Sequence, residues 1–230
     1  MSSLMTIRTF ELIVATAFFA AILWACKLRN PLYLGALIGG AFCFVFDWAW
    51  CARSFFNATF HADLIPLPGI EVMGLAYPLV LPPAWGLAYG LTTILLVRVW
   101  PSIERRVGKA GYVLVWLAGG IAMTAVENLL VGVLHIYTYH QKPEYLIGTV
   151  PWSNLLLSGN LQLLCFAGLR AFQKWAALAP NPGIDLRSEN TWKGLAMGAM
   201  PLWGAFVITY AIQLFWYGAV EPWTESGRPF

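Results

Sequence analysis

Six stretches of mostly apolar residues recur along the chain, at roughly 8–26, 31–51, 74–99, 110–134, 151–173 and 194–217. Each is about the length needed to cross the ~30 Å hydrocarbon core of a bilayer as a helix, and no window alternates as an array of strands would. The pattern predicts an all-α protein, a polytopic membrane helical bundle of about six transmembrane helices, with residues 1–230 forming a single transmembrane domain. The third stretch differs from the others, because Pro78, Pro82 and Pro83 fall within Leu75–Gly90. Each proline removes a backbone donor and strains the preceding turn. A proline-broken third helix is therefore expected, and broken helices in membranes often line cavities. The first stretch lacks a basic leader and a clear small-residue cleavage site, so it is expected to remain as a helix.

Composition agrees with this pattern. Apolar residues make up 59% and charged residues 11% of the chain, against roughly 25% charged in a soluble domain. Twelve Trp, nine Tyr and fourteen Phe can serve as interfacial belts or as walls around an apolar ligand. The net charge is +3 and the basic residues sit in short connections, which excludes the basic tract of a nucleic-acid-binding protein. Cys26, Cys43, Cys51 and Cys165 lack the spacing of a disulfide framework or a zinc site and read as packing residues.

The Lys and Arg residues also orient the chain. Lys27, Arg29, Arg98, Arg105, Arg106, Lys109, Arg170, Lys174, Arg187 and Lys193 fall on one side of the six-helix pattern, and Arg8, Arg53, Lys142 and Arg228 on the other. By the positive-inside rule the richer side is cytoplasmic and both termini are not. Most acidic residues lie towards the opposite, outer half, where chemistry is therefore expected.

Ionisable groups within a span cost roughly 2.5–3.5 kcal/mol on insertion scales and turn towards the protein interior. Two carboxylates qualify: Asp47, in Phe46-Asp47-Trp48-Ala49-Trp50, and Glu127, in Ala125-Val126-Glu127-Asn128-Leu129. Asp47 also fits an interfacial residue among belt tryptophans, whereas Glu127 lies deeper and is followed by an amide. On the fifth helix, Asn154, Ser158 and Gln162 are spaced i, i+4, i+8 and share one face. Such a stripe either lines a site or fastens helices by hydrogen bonds worth about 0.6 kcal/mol each. The tyrosines of Tyr137–Tyr145 read as interfacial anchors. His61 and Asp63 are too few for a metal site, and no GxSxG, HExxH, GxxxxGK[ST] or GxGxxG pattern occurs.

Glu127-Asn128, then Gly132, the Tyr137/Tyr139 segment and the Pro151-Trp152-Ser153-Asn154 helix entry resemble the pattern of small membrane proteins related to the avermectin-type spirocyclase and, more loosely, of carotenoid-biosynthesis membrane hydratases. The resemblance spans Asp47 to Gln162, and by position it carries over Glu127, Asn128 and Asn154. It implies a membrane enzyme of isoprenoid or polyketide metabolism that needs no cofactor and takes a lipophilic small molecule from the bilayer.

The residues themselves are compatible with that chemistry. A carboxyl group in an apolar cavity is favoured in its neutral form and can donate a proton to an alkene, epoxide or ketone. The faces of Trp48, Trp50, Trp85 or Trp152 can stabilise the resulting positive charge. The expected site thus pairs Glu127 and Asp47 as acid and base. Asn128, Asn154, Ser158 and Gln162 would orient a terpenoid or polyketide substrate undergoing cyclisation, isomerisation or hydration. The rival class is a small transporter or a non-catalytic assembly protein, since membrane carboxylates also build proton relays. Catalysis predicts a pocket closed on the cytoplasmic side, and transport predicts a path reachable from both.

Overall fold

Local chemistry sets where the helices begin. Asn30 caps the second helix by accepting from the Leu32 and Tyr33 amides, and Pro31 follows at the first helical position, where its missing N–H costs nothing. The computed structural model describes residues 3–46, 58–60, 70–72, 75–77, 79–140, 142–176, 184–185 and 187–219. Over these the fold is all-α, with α1 (Ser3–Lys27), α2 (Pro31–Phe42), α3 (Leu81–Trp85), α4 (Thr92–Val107), α5 (Gly111–Asn128), α6 (Trp152–Ala176) and α7 (Glu189–Ala219). Four helical runs are long and apolar enough to cross a membrane: Arg8–Lys27, Leu81–Val133, Trp152–Trp175 and Glu189–Ile212. Pro31–Phe46 is a shorter apolar helix.

Among the described residues, three short antiparallel strand pairs, unforeseen from the sequence pattern, accompany the helices; two are hairpins and one joins distant segments. β1 (Ala58–Phe60) pairs with β4 (Tyr137–Tyr139), β2 (Ile70–Val72) with β3 (Leu75–Tyr77), and β5 (Leu146–Ile147) with β6 (Val150–Pro151). They are only two or three residues long, too short for alternation to show in a sequence window.

The third apolar stretch also differs from expectation. Leu75–Tyr77 is a strand, and Pro82 and Pro83 open α3 instead of breaking a helix already under way. Proline in a first helical turn removes a donor that has no intrahelical partner in any case. Pro78 lies outside the described residues. The irregularity falls one turn later, where Gly86–Leu91 forms a wide π-helical turn joining α3 to α4. A second π-helical turn, Leu129–Val133, extends α5.

Gly108 divides the 53-residue run Leu81–Val133. Its φ of 57° ends α4, and a short 3-10 turn, Gly108–Ala110, leads into α5. α5 then returns antiparallel along α6: Tyr112 meets Phe166 and Arg170, the Trp116 indole donates to Asn160 Oδ1 at 2.8 Å, and Gly120 abuts the Leu155 backbone. α4 runs parallel to α6, from Thr93 beside Gln162 to Glu104 beside Arg170. α2 lies parallel to α7 with backbones almost touching, since Gly35 and Gly39 face Leu195 and Ala199, and Gly198 faces Leu32. Small residues permit such close approach where lipid supplies no hydrophobic drive between helices. The deepest side chains, Leu37, Tyr89, Leu161, Phe166, Leu169, Leu202 and Phe206, join these layers into one core.

One end of the bundle is locked by Arg170. Its guanidinium binds Glu104 at 2.9 and 3.0 Å, donates to the Tyr112 hydroxyl and lies 4.8 Å from the Trp100 ring centroid. Planar, multiply donating Arg suits this combined ion pair and ring contact. The strand pairs lie towards the other end.

Candidate functional site

Between α1, the α3–α4 rod, α5 and α6 lies a cavity of about 620 Å³, within the range of pockets that take drug-sized molecules. Its wall is mostly apolar. Phe10 and Val14 come from α1, Leu81, Ala84 and Trp85 from α3, Leu95, Leu96 and Val99 from α4, and Met123 and Val126 from α5. Both π-helical turns contribute, through Leu87, Ala88 and Tyr89 and through Leu130. Such turns recur at functional sites because the extra residue re-aims the side chains around it.

Polar groups are confined to one seam. At the hairpin end Tyr139 donates to Glu127 Oε2 at 2.5 Å, and the Tyr137 and Asn154 side chains flank the same carboxyl group. Period-two alternation in β4 turns both tyrosines inward, where their rings meet edge to face at 5.4 Å. One helical turn along α6, the Ser158 hydroxyl lies 3.4 Å from Asn154 Oδ1. One turn further, Gln162 Nε2 donates to Thr93 Oγ1 at 3.1 Å, and the Thr92 hydroxyl lies 2.9 Å from Gln162 Oε1. Glu127 is the sole carboxylate among the described residues that line the cavity.

Two buried donors along the wall are unused. Asn154 is 3% exposed and its Nδ2 lies beside the Glu127 carboxyl group without closing a hydrogen bond of normal geometry, and Trp85 Nε1 likewise has no partner among the described residues. Buried donors in native proteins are nearly always paired, so each marks a point on the wall where an acceptor from outside the chain would be stabilised. Trp85 itself stacks on Tyr89 at 5.1 Å and meets Phe206 edge-on at 5.4 Å. Further along α6, at the Arg170 end of the bundle, Trp100, Tyr112 and Phe166 pack with centroids 4.6–5.9 Å apart; none of them is among the described residues that line the cavity.

Five of the residues singled out in the sequence meet in this cavity: Glu127, Asn154, Ser158, Gln162 and Trp85. Asp47, Trp48 and Trp50 lie outside the described residues. Trp152 is the half-buried first residue of α6 and is not among the described residues that line the cavity. Asn128 is also not among them. Its Nδ2 donates to the Thr124 carbonyl at 2.8 Å, and its Oδ1 accepts from Thr149 N at 2.8 Å and from Thr149 Oγ1 at 3.2 Å. It therefore ties the Gly148-Thr149 turn of the β5–β6 hairpin to α5. Gly148 is required in that turn, because its φ is 69° and an added Cβ would collide with Asn128 Oδ1. Asn128→Ala orphans the Thr149 amide and is expected to lower stability by about 1–2 kcal/mol. Thermal unfolding in detergent measures this, and an unchanged midpoint would show that the tether carries no load.

The sequence reading missed Tyr137, Tyr139, Thr92 and Thr93. The tyrosines were assigned to the membrane interface. Their only sequence signal is the i, i+2 spacing, ten and twelve residues beyond Glu127, meaningful once that segment is known to fold back as a strand. Thr92 and Thr93 carry no local signal, since only the close packing of α4 on α6 gives them Gln162 as a partner.

No protein-family model, curated protein or solved structure matches the chain.

Proposed function

We propose that this protein is a membrane-embedded, cofactor-independent cyclase or isomerase that protonates a lipophilic terpenoid or polyketide substrate in the cavity beside Glu127. The observation that carries this reading is a carboxyl group, held by a tyrosine, at the polar end of an otherwise apolar cavity. The proton passes from the Glu127 carboxyl to an alkene carbon or to an epoxide or ketone oxygen. An internal π bond then attacks the cationic centre, a base takes a proton from the cyclised cation, and transfer of that proton back to the Glu127 carboxylate restores the acid with no net consumption. Trp85 offers the face of its ring to the intermediate positive charge. Asn154, Ser158 and Gln162 orient the substrate along the seam, and the resemblance to spirocyclase-like and carotenoid-biosynthesis proteins gives the same direction.

Asp47 is proposed as the base. Later in the chain, β1 pairs with β4 and sets Ala58 opposite Tyr139, at the Glu127 end of the bundle. Six membrane crossings are part of the proposal: the 53-residue run counts as two, divided at Gly108, and Pro31–Phe46 as a short one. The alternating directions of the packed helices support that count. The distribution of Lys and Arg supports hairpins and both termini on the non-cytoplasmic side, with the Arg170 end facing the cytoplasm.

The packed cluster of Trp100, Tyr112 and Phe166 at the Arg170 end favours catalysis over transport, because a carrier needs a second exit on that side of the bundle. The test is to reconstitute the protein in nanodiscs, supply a panel of polyprenyl epoxides, polyenes and long-chain hydroxyketones, and look by mass spectrometry for isomers of unchanged mass or hydrates. Liposomes bearing the protein and an internal pH dye are run in parallel. Product without proton flux is expected. Flux without product would replace the enzyme reading with a carrier.

A further inference from the structure

The described residues lining the cavity divide sharply by exposure. Leu95 and Val99 of α4 and Ala118, Ala122 and Val126 of α5 are exposed, whereas the others are buried or half-buried. The mouth of the cavity is therefore the gap between α4 and α5, two helices held together at the Gly108 turn, where Gly111 sits against Trp100 and Ile103. All five rim residues are aliphatic. A mouth of this kind, set in the flank of apolar helices, faces lipid tails when the bundle is in a bilayer.

We infer that the occupant enters sideways from the bilayer through this α4–α5 gap, and that it is an uncharged, single-tailed lipophile carrying an acceptor oxygen at one end, held by Asn154 Nδ2. This rests on the cavity being the site of the chemistry proposed above, and it names the substrate class that chemistry would take. The two unused groups are both donors. A ketone, ether, epoxide or hydroxyl oxygen satisfies such a donor, whereas an ammonium group has no lone pair to offer. An anionic head would find no Lys, Arg or His among the described lining residues to balance its charge. The tail then lies along α4 towards Val99, away from the polar seam.

The probe is 2-pentadecanone bearing a mid-chain diazirine, compared with the matching diazirine alkane, on protein in nanodiscs. On the unaltered protein the ketone should photolabel cavity peptides of α4, α5 and α6 about tenfold more than the alkane does, a ratio that corresponds to one buried hydrogen bond. Asn154→Leu should remove that preference and leave alkane labelling alone. Ala122→Trp, which fills the rim, should cut cavity labelling at least tenfold, while Leu12→Trp, on the exposed flank of α1, should not. Equal labelling by ketone and alkane would overturn the head-group assignment, and undiminished labelling in Ala122→Trp would overturn the portal. Selective labelling with no product from any panel member would sink the catalytic reading alone. Turnover that ignores the Ala122→Trp block would sink this inference alone.

Discussion

Glu127→Gln should abolish turnover while leaving the protein folded and able to bind. The change keeps the volume of the side chain and an oxygen for Tyr139, which donates to it at 2.5 Å, but it removes the only acidic proton among the described residues that line the cavity. General acid catalysis typically contributes about 10²–10⁴-fold, and the loss in product formation should fall in that range. Retention of the ketone probe, measured by the same photolabelling, separates lost chemistry from lost binding. A Glu127→Gln protein that turns over at the native rate would remove Glu127 from the mechanism and leave the cavity without an acid.

The second large effect is structural. Gly198→Ala should destabilise the bundle by about 3 kcal/mol, because the new methyl group falls on the Leu32 carbonyl and lies 2.8 Å from the Ala36 amide nitrogen. Those are backbone atoms of a packed helix, with no flexible side chain to yield, so α2 and α7 must separate. Gly204 on the same helix has no atom within 4 Å of an added Cβ. Gly204→Ala should therefore gain up to about 1 kcal/mol from helix propensity alone. Thermal unfolding of the two variants in one detergent gives the comparison, and midpoints shifted alike would contradict the close α2–α7 contact.

The membrane helices were legible because twenty apolar residues in a row have few other uses. Glu127 was legible for the same reason in reverse, since a carboxyl deep in such a run needs an explanation. Asn154, Ser158 and Gln162 announced themselves through helical spacing, which requires knowledge of α6 only. The failures share a different character. Pro82 and Pro83 were read as breakers because proline both starts and interrupts helices, and the choice depends on whether a helix already exists upstream. Asn128 was grouped with Glu127 as its neighbour, yet adjacent residues on a helix point about 100° apart, and its partners are the Thr124 carbonyl and a turn 21 residues ahead. Tyr139 and Thr92 meet their partners only through tertiary packing, which no local pattern encodes.

The wide turn at Gly86–Leu91 gives the chain a dependence on length as well as on residue identity. A π-helical turn holds one residue more than regular helix would, and each residue of an α-helix advances the chain by about 100°. Deleting Leu87 would let α3 and α4 close into one regular helix with every downstream residue intact. Thr92 and Thr93 would nonetheless swing away from Gln162, and the middle of the seam would come apart. Variation by a single insertion or deletion at this point is thus a route by which such a bundle could exchange one substrate for another while keeping its membrane scaffold unchanged.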